Sequence, residues 1–324
     1  MKKSSPLPIL FVYVIVELLG YSLILPLLPY YAQTFGGEPL LIGLLGTSNA
    51  VAQIIGAPFI GRFSDRFGRR PLIILGIAAS FVAFVMLGMA RSLAVVFASR
   101  ILDGLLGGNI ALAQSYITDV TDEKSRAKGL GIIGAAFGIG FIIGPATGGL
   151  LSQWGYAVPA FAAAGLCIVN LVWVLISLPE SLTAERRAAL AMRPRPSITA
   201  RALLEALRRP KVGPLLHTRL FYALAFGLFQ ANFALFALYR LGLQSQSTGY
   251  ILAYVGLLAV LVQGVAIGRL TARFAEKQLV LAGVVVMTVA LLAWGFTPNV
   301  PLLLVILAPL ALAGGTLNTV LNSL

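Results

Sequence analysis

The sequence predicts an all-α polytopic membrane protein built from two related helical bundles. Three observations carry that prediction. First, 59% of the 324 residues are hydrophobic and only 11% are charged, with a mean hydropathy of +0.93; soluble domains carry about 25% charged residues. Second, the basic residues cluster. All Lys and Arg except Arg91, Arg100, Arg219 and Arg240 lie at Lys2–Lys3, Arg62–Arg70, Lys124–Lys128, Arg186–Lys211 or Arg269–Lys277. Third, Gly61–Gly76 (GRFSDRFGRRPLIILG) returns 207 positions later as Gly268–Gly283 (GRLTARFAEKQLVLAG), with Gly, Arg, Arg, Phe, Leu and Gly in register.

A span needs about 20 apolar residues. The spans are expected near 7–33, 41–61, 71–90, 93–118, 128–151, 157–178, 213–239, 247–268, 278–296 and 300–322. The basic clusters fall in alternate connections, which is the positive-inside pattern. It puts the N-terminus on the cytoplasmic side of a cell inner or plasma membrane. A net charge of +13 would point to nucleic acid in a soluble chain. Here the charges flank spans, so the partners expected are membrane lipid and small molecules, not nucleic acid. The single cysteine, Cys167, lies in an apolar run and excludes disulfides. The domains expected are a six-helix bundle over 1–180, a cytoplasmic linker over 181–212, and a partial bundle of four helices over 213–324. Two short helical pieces, Ala184–Ala191 and Thr199–Leu207, are expected within the linker. Gly107-Gly108 aligns with Gly314-Gly315 at the repeat offset, and Leu324 with Ile117. By that alignment the chain is expected to lack its last two spans.

Gly61–Leu72 reads as a tight loop at the membrane surface, because each charge in a hydrocarbon core costs about 2.5–3.5 kcal/mol. Gly61 and Gly68 would let its backbone turn sharply. The fifth span is rich in glycine. Gly140, Gly144 and Gly148 recur at four-residue steps, a face that lets another helix approach closely. Pro145 removes one helical hydrogen bond and is expected to kink the span.

Ionisable residues inside spans point to a pathway. Glu17 lies about ten residues into the first span, or roughly 15 Å along its axis. Arg100 and Asp103 sit one turn apart in the fourth span and can pair. No residue within a turn of Glu17 carries the opposite charge, which favours its neutral form and a part in carrying protons. A buried structural network joining Glu17 to Arg100 is the alternative. Asn49, Gln53, Gln114, Tyr116, Gln230 and Asn232 are the polar residues expected along the same pathway. The phenylalanines at 221, 226, 229 and 233 form a stripe suited either to a cavity wall or to helix packing. No paired-histidine metal motif, Ser-His-acid constellation or phosphate-cradling G-x-x-x-x-G-K-[ST] loop occurs, so neither enzymatic catalysis nor direct use of ATP is expected.

Four motifs resemble the major facilitator superfamily along essentially the whole chain. They are Gly61–Leu72, the Arg100-Ile-Leu-Asp103-Gly104 stretch, and the Gly131, Gly140, Gly144, Pro145, Gly148 and Gly149 pattern. The fourth is Glu17-Leu-Leu-Gly20 with Leu25-Pro26-Leu-Leu-Pro29. Within that superfamily the chain is similar to the twelve-span drug–proton antiporters of the tetracycline-resistance type. The resemblance implies two pseudo-symmetric bundles and proton-coupled export of a small amphipathic compound by alternating access. No cofactor is implied, since a proton gradient supplies the energy, and the carrier is read as a monomer. Proton symport, facilitated uptake and a non-transporting membrane protein are the alternatives. The resemblance also implies a conformational latch of Gly61, Asp65, Arg66, Gly68, Arg69, Arg70 and Asp119. In it Arg69 pairs with Asp119, and Asp65 faces the start of an eleventh helix. The second copy has Ala272 in place of Asp65. Arg100 and Asp103 align with Leu307 and Leu310, so only the first half keeps the full motifs.

Overall fold

A computed structural model describes residues 6–107, 109–192, 205, 207–210 and 213–323. All regular structure among the described residues is helical. Lipid offers no partners for backbone polar groups, and a helix satisfies them internally. Among the described residues, ten helices are long and apolar enough to cross a membrane. They are Leu7–Gln33, Pro39–Phe67, Arg69–Gly88, Leu93–Val120, Gly129–Trp154, Ala157–Ser177, Gly213–Leu241, Ser245–Arg273, Glu276–Gly295 and Val300–Leu321, called here the first to the tenth span. Large apolar side chains such as Ile54, Ile176 and Leu292 are largely exposed. That surface suits hydrocarbon and not water.

Breaks in the helices follow the sequence. The first span tightens into a 3-10 turn at Leu25–Leu27, around Pro26. The fourth is interrupted after Leu106, where the Gly107 N–H donates to the Asp103 carbonyl at 2.6 Å. Asp122 caps the helix leading into the fifth span. Its Oδ1 accepts from the Ser125 N–H at 2.8 Å, and hydrogen bonds from Ser125 hold the exposed carboxyl below its ordinary pKa.

One expectation is corrected. Gly61–Phe67 is not a loop but the last two turns of the 29-residue second span, and Arg69 already opens the third. Such a helix is about 43 Å long, against a hydrocarbon core of about 30 Å, so its charged end projects beyond the core. Gly61 is therefore not a turn residue, and a Cβ there would meet open space. Gly68 alone makes the turn, at φ +109°, a conformation that a side chain would strain.

The chain divides into two compact units: Met1–Arg193 with Gln244–Ala253, and Pro194–Leu243 with Tyr254–Leu324. The helical piece expected at Thr199–Leu207 falls almost wholly outside the described residues. In the first unit small residues bring helices together. A Cβ on Gly140 would lie 3.0 Å from that of Leu18, and Gly144 and Gly148 abut Ser22 and Leu23 of the same first span. The Ser22 hydroxyl donates to the Gly140 carbonyl at 2.8 Å. The glycine face of the fifth span is thus spent on the first span. Pro145 and Gly149 instead meet the start of the eighth span, where Gly249 touches the Pro145 carbonyl and Gly149 sits against Gln246. Hydroxyls add the pairs Tyr30–Thr248 at 2.5 Å and Ser152–Ser245 at 2.8 Å.

The second unit is held by an aromatic cluster. Phe229 and Phe233 are fully buried and pack on Trp294, Phe229 edge-on at a centroid distance of 5.2 Å and Phe233 stacked at 6.2 Å. Most of the phenylalanine stripe is helix packing, while Phe221 at its end is exposed.

Candidate functional site

The polar interior of the first unit is one candidate site. Arg100 is 2% exposed and Asp103 8%, so their environment is one where charges must be paired. The Asp103 carboxylate accepts from the Ser80 hydroxyl at 2.8 Å and from Asn49 Nδ2 at 3.3 Å, and it lies 3.5 Å from Arg100 Nη1. Asn49 also donates to the Arg100 carbonyl at 2.9 Å, tying the second span to the fourth. Arg100 sits over the Phe84 ring, 5.1 Å from its centroid, a favourable cation–π placement. Glu17, half-buried, accepts from Asn170 Nδ2 at 3.4 Å, and the same amide donates to the Tyr13 carbonyl at 3.1 Å.

A cavity of about 80 Å³ adjoins this cluster, lined by Tyr21, Leu25, Leu28, Gly46, Asn49, Ala50, Gln53 and Arg100. Tyr116 does not line it: that side chain is fully buried, and its hydroxyl donates to the Pro179 carbonyl at 2.6 Å. Gln114 is exposed on the same helix. In the second unit Asn232 is exposed and donates to the Leu228 carbonyl of its own helix at 2.9 Å, and Gln230 is half-buried.

A second candidate site lies where the second, third, fourth and sixth spans end. Arg69 bridges Asp119 at 3.0 Å and Asp65 at 2.7 Å, and donates to the Ser64 hydroxyl at 2.5 Å. Asp119 is further held by the Ser181 hydroxyl at 3.2 Å and Arg186 at 3.5 Å. Arg70 donates to the Leu175 carbonyl at 2.7 Å, whereas Arg66 lies exposed over the Phe67 ring. Gly131, by contrast, stands exposed in the fifth span with open space around it.

Sequence reasoning missed Glu180. Its carboxylate accepts from the backbone N–H groups of Arg69 and Arg70 at 2.9 and 3.1 Å, and of Ser181 and Leu182 at 3.0 and 3.2 Å. The first two are among the donors left open at a helix N-terminus, where negative charge is favoured. It also packs against Gly68 so closely that a Cβ there would collide with it. Glu180→Gln keeps the shape but removes the charge and replaces one of the two accepting oxygens with an NH₂ that cannot accept from a backbone N–H. A loss of about 1–2 kcal/mol is expected, read as a lower Tm of the purified protein; an unchanged Tm would mean these bonds are dispensable. Asn170 and Ser80 were missed as well. Nothing in their spacing marks them, because their partners lie on other spans.

Ten apolar helices among the described residues, with paired charges buried inside the first unit, define a polytopic membrane carrier. The chain belongs to the Major Facilitator Superfamily, whose family model matches residues 10–324. Multidrug resistance protein 2 of Bacillus subtilis (strain 168) is 30% identical over 272 residues, covering 82% of this chain and 67% of the relative. The class B tetracycline resistance protein of Escherichia coli is 31% identical over 284 residues, covering 86% of this chain and 70% of that protein. The solved structure of the human organic anion transporter MFSD10 (TETRAN) matches 100% of this chain and 85% of its own, with a TM-score of 0.73 at 23% identity, and so shows a shared fold.

Proposed function

We propose that this transporter exports a small amphipathic compound in exchange for protons, with no other cofactor. It acts as a carrier and not as an enzyme. The observation that carries this reading is the buried Arg100–Asp103 pair, in a unit that also holds a half-buried carboxyl at Glu17, in a chain similar to multidrug and tetracycline resistance proteins. Charges inside a span are costly and are kept where they work. Glu17 takes a proton in one access state and gives it up in the other. Asp103 pairs with Arg100, and Asn49 and Gln53 meet the substrate. Gln114, Gln230 and Asn232 supply further polar contacts along the path.

Arg69, Asp65 and Asp119 form a latch that favours one access state, an element biased by a few kcal/mol. Glu180 and Arg70 brace its backbone. The glycines of the fifth span and Pro145 set how closely neighbouring helices slide. The carrier works as a monomer in the inner or plasma membrane with its N-terminus in the cytoplasm. Residues 1–180 and 213–324 serve as bundles joined by the linker 181–212.

The test is efflux from cells expressing the chain, with a panel of anionic, zwitterionic and cationic amphiphiles. At least one is expected to be exported and to be retained once an uncoupler collapses the proton gradient. Export of none of them, or export indifferent to the uncoupler, would refute the proposal.

A further inference from the structure

We infer that the cavity beside Arg100 is an anion subsite that seats a carboxylate group of the substrate. The inference deepens the export reading and rests on it. Its basis is an imbalance within the buried pair. Asp103 is well supplied by Ser80, Asn49 and Arg100. Arg100 is not. Its Nη1 reaches Asp103 only at 3.5 Å and its Nε reaches Ser99 only at 3.4 Å, while its Nη2 is buried with no hydrogen-bond partner among the described residues. A buried charged donor left open is strongly unfavourable, so this guanidinium has capacity for an acceptor that the protein does not provide.

The cavity supplies the place. Arg100 is its one charged lining residue, and Tyr21, Asn49 and Gln53 are its polar ones. Its volume of about 80 Å³ is well below the roughly 300–1,000 Å³ of a pocket for a drug-sized ligand. That is too small for a whole drug-sized molecule and sufficient for a carboxylate. Because both hydrogen bonds of the Arg100 side chain to described residues are 3.4 Å or longer, a modest turn of the guanidinium presents its fork to the cavity. Two parallel bonds to a carboxylate then form, the geometry that arginine favours. Gly46, Ala50 and Gln53 are exposed residues of the second span on the cavity wall, where the apolar body of the substrate rests. The substrate class is an amphipathic monocarboxylate.

Benzoate is the probe, with benzamide as its neutral counterpart of like shape. Both are titrated calorimetrically against the full chain in lipid nanodiscs. Benzoate is expected to bind at least tenfold more tightly than benzamide. Arg100→Gln removes the guanidinium but leaves Asp103 without its cation and can prevent folding, so Gly46→Leu is the deciding variant. Gly46 lines the cavity and a Cβ there meets nothing within 4 Å, so a longer side chain is accommodated at the cavity wall with both members of the ion pair kept. It is expected to weaken benzoate at least tenfold. Benzoate that does not bind, binds no better than benzamide, or ignores Gly46→Leu overturns the subsite and leaves a cavity for water. The preferred binding in a chain that exports nothing would remove the export reading and keep the subsite. Proton-driven export without that binding would do the reverse.

Discussion

Replacing Arg69 with alanine is expected to destabilise the protein by about 3–5 kcal/mol, the range for removing one partner of a buried ion pair. The side chains of Arg69 and Asp119 are only 9% and 7% exposed, so neither charge is relieved by water. Without the guanidinium, Asp119 keeps Ser181 and a contact to Arg186, which is half in solvent at 51% and holds it at 3.5 Å. Asp65 and the Ser64 hydroxyl lose their Arg69 contacts at the same time. Arg69→Lys keeps the charge but not the fork that reaches three groups at once, so it is expected to fall between wild type and alanine. Thermal unfolding of the three proteins in one detergent checks the order. An alanine variant within about 1 kcal/mol of wild type would show that the clamp does not hold these helix ends.

A comparable loss is expected for Gly104→Val. The second and fourth spans meet backbone to backbone there. A Cβ at position 104 would lie 2.7 Å from that of Ala52 and collide with the Asn49 carbonyl, while Gly56 abuts the Leu105 backbone in the same way. Neither obstacle is the end of a flexible side chain, so the spans must separate. Overpacking of this kind costs about 1–3 kcal/mol, occasionally more. Separation also pulls Asn49 off the Arg100 carbonyl and off Asp103, which adds broken hydrogen bonds inside the unit. The result expected is a large fall in Tm, or loss of the folded protein on size exclusion. Gly61→Val is the control: space is open there and little change is expected. Equal stability of the two variants would contradict the close approach.

What the sequence made legible, and what it did not, divides by the range of the interaction. The ten spans were readable because a run of about 20 apolar residues is a local property. The one-turn spacing of Arg100 and Asp103 was likewise local. The stretch Gly61–Phe67 was misread as a loop because its charges were weighed against hydrocarbon. The helix simply outlasts the hydrocarbon, and nothing in those residues breaks it before Gly68. The fifth-span glycines announced a close approach without naming the partner. Gly140, Gly144 and Gly148 meet the first span, whereas Pro145 and Gly149 meet the eighth. Glu180, Ser80 and Asn170 were invisible because each acts on residues 23 or more positions away. No periodicity encodes such pairings.

The most direct test is pH-driven flux in proteoliposomes containing wild type or Glu17→Gln, with an exported amphiphile on one side and a pH gradient imposed. If the Glu17 carboxyl carries the proton, the variant still moves substrate down its own gradient but no longer responds to the pH gradient. A Glu17→Gln carrier whose flux keeps the full pH response of wild type would contradict that role.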